Sequence, residues 1–180
     1  IMKLLGISGT VTGRKTAAVV QEVLRHVKKQ DESIAVELLD LSEYQVQFCD
    51  GRDPGTYTGD AKKVIELVAA ADCYVIGTPI FQGSLPGALK NLFDLVPVSA
   101  LRHKVMGFVA TGGTYQHYLV IENQLKPIAG YFRAFTAPGY VYAHADHFNA
   151  NNEVVAPDVL ERIALLAQEI VFMQKALKGN

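Results

Sequence analysis

Ser8, Thr10, Thr12 and Thr16 bring hydroxyls, and Arg14 and Lys15 bring positive charge, into a short stretch that also holds Gly9 and Gly13. Hydroxyls donate to anions, cations neutralise them, and glycines let the backbone curl close around them. Before this stretch Leu4, Leu5 and Ile7 read as a buried strand. After it Ala17, Val19, Val20, Val23, Leu24 and Val27 recur at helical spacing. The stretch therefore ends on a helix N-terminus, whose unpaired N–H groups and partial positive charge favour an anion. Its chemistry is that of a phosphate site, although the same residues also suit an ordinary capped turn with a solvated Arg-Lys pair. Two better-known motifs are excluded. The nucleotide-triphosphate loop needs Gly directly before its Lys, where Arg14 stands here, and Gly6, Gly9 and Gly13 lack the dinucleotide spacing.

A second constellation runs from Gly77 to Asp94. Pro79 and Gly83 fix a loop with free backbone amides, Ile80 and Gln82 lie within it, and Phe81 offers a flat apolar face. Such a surface suits a planar heterocycle with polar edges. Ser84 is expected to cap a helix whose buried stripe is Leu85, Ala88, Leu89 and Leu92, with Pro86 in its first turn. A third segment, Ala110-Thr111-Gly112-Gly113-Thr114, has adjacent glycines that remove side chains where a ring would otherwise clash.

Holding these loops together requires a scaffold, and the hydrophobic pattern supplies one. Further strands are predicted at 34–40, 73–77, 104–110 and about 139–143. Helices are predicted from Asp60, which is placed to cap its own, and over 85–96, 117–132 and 157–177, with Pro127 kinking or interrupting the fourth. The long segment 41–58 reads as a loop that is mobile, or that folds over a site or into a subunit contact. Continuous apolar strands alternating with helices predict an α/β protein: a flavodoxin-like, doubly wound, five-stranded parallel sheet with helices on both faces. In that architecture the loops after strands one, three and four converge on one crevice.

With 180 residues, 49% apolar and 19% charged, the chain has the composition of a soluble globular domain. A net charge of −1 gives no electrostatic footprint for nucleic acid or an anionic membrane, and no segment has the length of a membrane span. A cytoplasmic location is expected, with Ile1, ahead of Met2, read as extraneous to the fold. Cys49 and Cys73 read as reduced structural thiols. His144, Asp146 and His147 resemble a metal cluster, but in a polar loop with Asn149, Asn151 and Asn152 a solvated turn is the favoured reading.

The stretches Ser8–Thr16, Gly77–Asp94 and Ala110–Pro127 together resemble the NADPH-dependent FMN reductase family, and most of all the flavin reductases of two-component monooxygenases. The resemblance implies a single FMN-binding domain over residues 2–180. It implies that Ser8, Thr10, Thr12, Arg14, Lys15 and Thr16 bind the FMN phosphate. By the same resemblance Pro79, Ile80, Phe81, Gln82, Gly83 and Ser84 lie along the isoalloxazine, and Thr111, Gly112, Gly113 and Thr114 face its pyrimidine side, with His117 bordering the site. In sulfonate-system relatives a Tyr or His in the middle of the segment Glu122-Asn123-Gln124 marks a π-bulge at a subunit interface; Asn123 departs from that pattern. The implied reaction is hydride transfer from NADPH or NADH to FMN, a chemistry the cofactors carry, so no catalytic side chain is assigned. Reduced FMN would go to a partner monooxygenase. The alternatives are a quinone or azo reductase that retains FMN and a flavodoxin-type electron carrier; the near-neutral charge argues against the carrier. The consecutive apolar residues Tyr118, Leu119, Val120 and Ile121 point off more than one helix face, and a homodimer or homotetramer is expected.

Overall fold

Leu4 and Leu5 are both buried, yet each belongs to a different core, one on either side of the strand they share. That alternation recurs across a computed structural model describing residues 1–179. The strands β1 (Lys3–Ser8), β2 (Ala35–Asp40), β3 (Cys73–Pro79), β4 (Val105–Gly112) and β5 (Phe135–His144) form one parallel sheet in the order β2-β1-β3-β4-β5. This is the flavodoxin-like order. Helices α1 (Lys15–Gln30) and α6 (Pro157–Lys178) cover one face. On the other face lie α2 (Gly59–Ala70), α3 (Gly87–Leu95), the short α4 (Val98–Leu101) and α5 (Lys126–Tyr131). Among the described residues no helix is long and apolar enough to cross a membrane.

Close approach of α1 to the sheet sets the direction of the first loop. Ser8 pairs with Gly77 in the register, and a Cβ on Gly77 would lie 2.5 Å from Val20 and 3.0 Å from Thr16. In-register neighbours share a face, so the Ser8 side chain also projects toward the first turns of α1.

Several local expectations are corrected. Ser84 does not cap α3, which starts at Gly87 with Pro86 as its N-cap, because a proline pushes the residue before it out of the helical region. Asp60 does not cap α2 either. Thr58 is the N-cap, and Asp60 sits in the first turn, accepting from the Gln45 N–H at 2.9 Å and pairing with Lys63. The helix expected over 117–132, with Pro127 kinking or interrupting it, is a 3₁₀ turn (Tyr115–His117), a π-helical segment (Ile121–Leu125) and then α5, so the interruption is present and the continuous start at 117 is not. Pro127, in the first turn of α5, has no N–H to donate, and the preceding Lys126 N–H reaches back to the Ile121 carbonyl. The π segment thus forms with Asn123 at its centre. Strand β5 begins four residues before Gly139. As an edge strand it tolerates Pro138, and the Gly139 N–H donates to Glu169 of α6 at 2.8 Å.

The 41–58 segment is tied down. Two 3₁₀ turns, Leu41–Glu43 and Pro54–Thr56, lie within it, and Asn91 of α3 accepts from the Cys49 N–H and donates to the Gln47 carbonyl. Tyr57 is buried and its hydroxyl donates to Asp50. Cys73 is buried and Cys49 donates weakly to the Asp94 carbonyl; both are free thiols.

Candidate active site

At the C-terminal rim of the sheet, Thr12–Thr16, Pro79–Phe81 and Thr111–Gly113 line one cleft of about 530 Å³. Side-chain and backbone bonds lock the contributing loops to one another. The hydroxyls of Thr16 and Thr111 lie 2.8 Å apart, the Ile80 N–H donates to the Thr111 carbonyl at 2.9 Å, and the Gly9 N–H donates to the Gly77 carbonyl at 2.8 Å.

In the first loop the hydroxyls divide their duties. Thr10 is buried and spends its Oγ1 on the loop itself, donating to the Thr12 carbonyl and accepting from the Thr12 N–H. Ser8 is also buried, and its Oγ has no hydrogen-bond partner among the described residues. Helix α1 begins with no acidic residue in its first turn and no side-chain cap, so its terminal N–H groups stay available. Arg14 is exposed, and neither it nor Lys15 makes an ion pair among the described residues. The Lys15 ammonium lies 5.3 Å over the Phe148 ring.

The second loop is a two-residue turn. Phe81 and Ser84 exchange both backbone bonds, at 2.8 and 3.0 Å, around Gln82 (φ 49°) and Gly83 (φ 78°). Positive φ at both central positions is the type I′ geometry, which explains the Gln-Gly pair. Pro79, Ile80 and a 43%-exposed Phe81 line the cleft. Gln82, Gly83 and Ser84 fall outside its lining, and the Ser84 hydroxyl bonds Gln124 of the π segment.

At the third loop, a Cβ on Gly112 would lie 2.2 Å from the Tyr142 hydroxyl, whereas one on Gly113 would meet nothing within 4 Å. Tyr142 donates to the Thr114 carbonyl, and burial raises the pKa of its phenol, preserving the donor. Thr114 and the exposed His117 lie outside the lining. Two lining residues, Ala145 and Asn152, come from the β5–α6 connection. In that connection a short hairpin closes a largely exposed turn: Phe148 bridges Val154, the Asn149 side chain accepts from the Asn151 and Glu153 N–H groups, and Asn152 turns the tip at φ 60°. Asn tolerates that conformation, which is the signal the Asn-rich stretch carried. The His144 and His147 rings lie with centroids 3.8 Å apart, tilted by 45°, and burial followed by the His144 charge lowers the His147 pKa. Among the described residues no acidic, Cys or His cluster is arranged to hold a metal.

A cationic rim, an open helix N-terminus and an adjoining flat platform are the requirements of a phosphorylated ring compound. The family model described as NADPH-dependent FMN reductase matches residues 2–148. The chain belongs to this family. The reductase is 67% identical, over 99% of its length and 97% of the relative's, to an NAD(P)H-dependent FAD/FMN reductase of Geobacillus thermodenitrificans. An FMN reductase (NADPH) of Pseudomonas aeruginosa is 30% identical over 92% of this chain and 89% of its own. Among solved structures, an oxidoreductase from Corynebacterium diphtheriae matches with a TM-score of 0.77 and 26% identity, covering 98% of each chain. Family membership makes this reductase an oxidoreductase with reduced nicotinamide nucleotide as donor and FMN as acceptor. The residues here fit FMN on physical grounds: Ser8 and Thr10 lie behind the cleft lining, where the orphaned Ser8 hydroxyl on the α1 side of the sheet wants a partner, the α1 N-terminus favours an anion, and a Cβ on Gly113 would meet no protein within 4 Å.

Proposed function

We infer that this reductase uses FMN as an exchangeable substrate and hands the reduced flavin to a partner monooxygenase. The supporting observation is the openness of the cleft: Phe81 is the one aromatic among its lining residues and is 43% exposed. FMN, when bound, supplies the hydride acceptor. In this reading the α1 N–H groups, Ser8, Thr12, Arg14, Lys15 and Thr16 hold the phosphate. Thr10 shapes the loop. Pro79, Ile80 and Phe81, braced by Gln82, Gly83 and Ser84, form the ring platform, and Thr111, Gly112, Gly113 and Thr114 present backbone to its polar edge. The open side admits a nicotinamide ring, and alignment of two planar groups is the protein's share of the chemistry. No carboxylate or imidazole lines the cleft among the described residues, in keeping with a reaction that needs no side-chain acid.

The same reading includes a homodimer or homotetramer, supported by the exposed Tyr115, Tyr118 and Leu119 beside the cleft. The test is NADPH and NADH oxidation by purified protein with and without added FMN, together with its visible spectrum. Rates that saturate with free FMN are expected. A permanently yellow protein that reduces quinones without added flavin would replace this reading with a retained cofactor, and absence of nicotinamide oxidation would leave an electron carrier.

A further inference from the structure

The cleft continues past the phosphate loop. Thr12, Gly13, Arg14 and Asn152 also line a larger groove of about 850 Å³, within the ~300–1,000 Å³ range of small-molecule sites. Its floor is one side of α1, where Arg14, Ala18, Gln21 and Arg25 recur at helical spacing and the alanine keeps the floor low. Asp40 and the turn after β2 also line it, as does the tip of the 147–155 hairpin.

The charges in this groove are selective. Arg25 is engaged by Glu22, which leaves Arg14, at the junction with the cleft, as the lining cation without an ion pair among the described residues. Asp40 stands beside Ser8 in the sheet register, and its carboxylate accepts one N–H, from Ser42 at 3.0 Å, while pairing with no cation among the described residues. A carboxylate at the end of the second strand of a parallel sheet, next to a phosphate loop, is placed to accept from a ribose diol and to repel a phosphate on that ribose. Glu43 and Glu153 in the same lining reinforce the repulsion.

We propose that this groove is an adenylate subsite, which takes an adenosine phosphate with a free ribose diol while the other end of the same dinucleotide lies in the cleft. The inference rests on the flavin reading of the cleft. FAD and NADH share the recognised chemistry, and the experiment separates them. Gln21→Trp fills the groove from an exposed helix position, and Asp40→Asn removes the charge while keeping the oxygen that accepts from Ser42.

Flavin fluorescence quenching reports FMN and FAD binding to each protein, and steady-state assays give KM for NADH and NADPH. Both variants should bind FMN as the parent does. FAD binding weakened about tenfold in both identifies FAD as the adenylate source, and a comparable rise in KM for NADH with flavin binding unchanged identifies the nicotinamide nucleotide. FAD binding and KM for NADH both unchanged in both variants overturn the subsite. That failure is distinct from failure of the flavin reading, which appears as absence of FMN binding in the parent protein itself.

Discussion

Ser8 carries a hydroxyl that folding buries without a partner among the described residues. Such a group costs about 1–3 kcal/mol, which an anion at the α1 N-terminus would recover. Ser8→Ala should therefore act with opposite signs, stabilising the ligand-free protein by about 1 kcal/mol in urea titrations and weakening FMN several-fold in binding titrations. A variant that is less stable and binds FMN normally would contradict this assignment. Cys73 offers a second residue-level test. Burial pushes its thiol up to about 12, so the neutral form dominates until the pH approaches that value. Iodoacetamide at pH 8 should leave Cys73 unlabelled in native protein and label it after denaturation, as read by mass spectrometry. The sequence made the hydroxyl-rich loop legible but not the division of labour within it. Thr10 and Ser8 look alike in a sequence, and only the pleat of β1 and the curl of the loop decide which hydroxyl is spent internally. Ala145 and Asn152 were out of reach for a related reason, since their contribution depends on where a hairpin far along the chain comes to rest.

At the scale of elements, the strands were readable because burial on both faces leaves an uninterrupted apolar run. Helix starts were less so. Pro86 moved the beginning of α3 past Ser84, whereas the interruption expected at Pro127 is present, as a wider hydrogen-bond register upstream of it. Contacts between elements add what periodicity does not carry. Asp31, the C-cap of α1, pairs with Lys175 on α6, and bonds from Lys175 and then Ser33 hold its carboxyl at about 2, below the ordinary value of 3.8. A depressed folded-state value means that this contribution is present above pH 3.8 and is lost as the pH falls through about 2. Asp31→Asn should lower the melting temperature at pH 6, and the difference from the parent should close between about pH 4 and pH 2. An unchanging difference across that range would show that the tether does not act through charge.

For the molecule as a whole, composition and strand-helix alternation were enough to reach the sheet order, because connections in a parallel sheet leave few alternatives. The proposed homo-oligomer rests on surplus apolar surface alone. Val120 and Ile121 are consumed by the monomer's own core, while Tyr118 and Leu119 remain 43% and 48% exposed. Leu119→Glu should shift size-exclusion elution toward the monomer without altering far-UV circular dichroism; a parent protein that elutes as a monomer at every concentration removes the oligomer. The hairpin that supplies Asn152 also has a consequence for biosynthesis. In chain order the phosphate loop comes well before the hairpin that walls the cleft and before α6, which packs beside α1. A nascent chain consequently holds a cradle without its outer wall until the β5–α6 connection has been made.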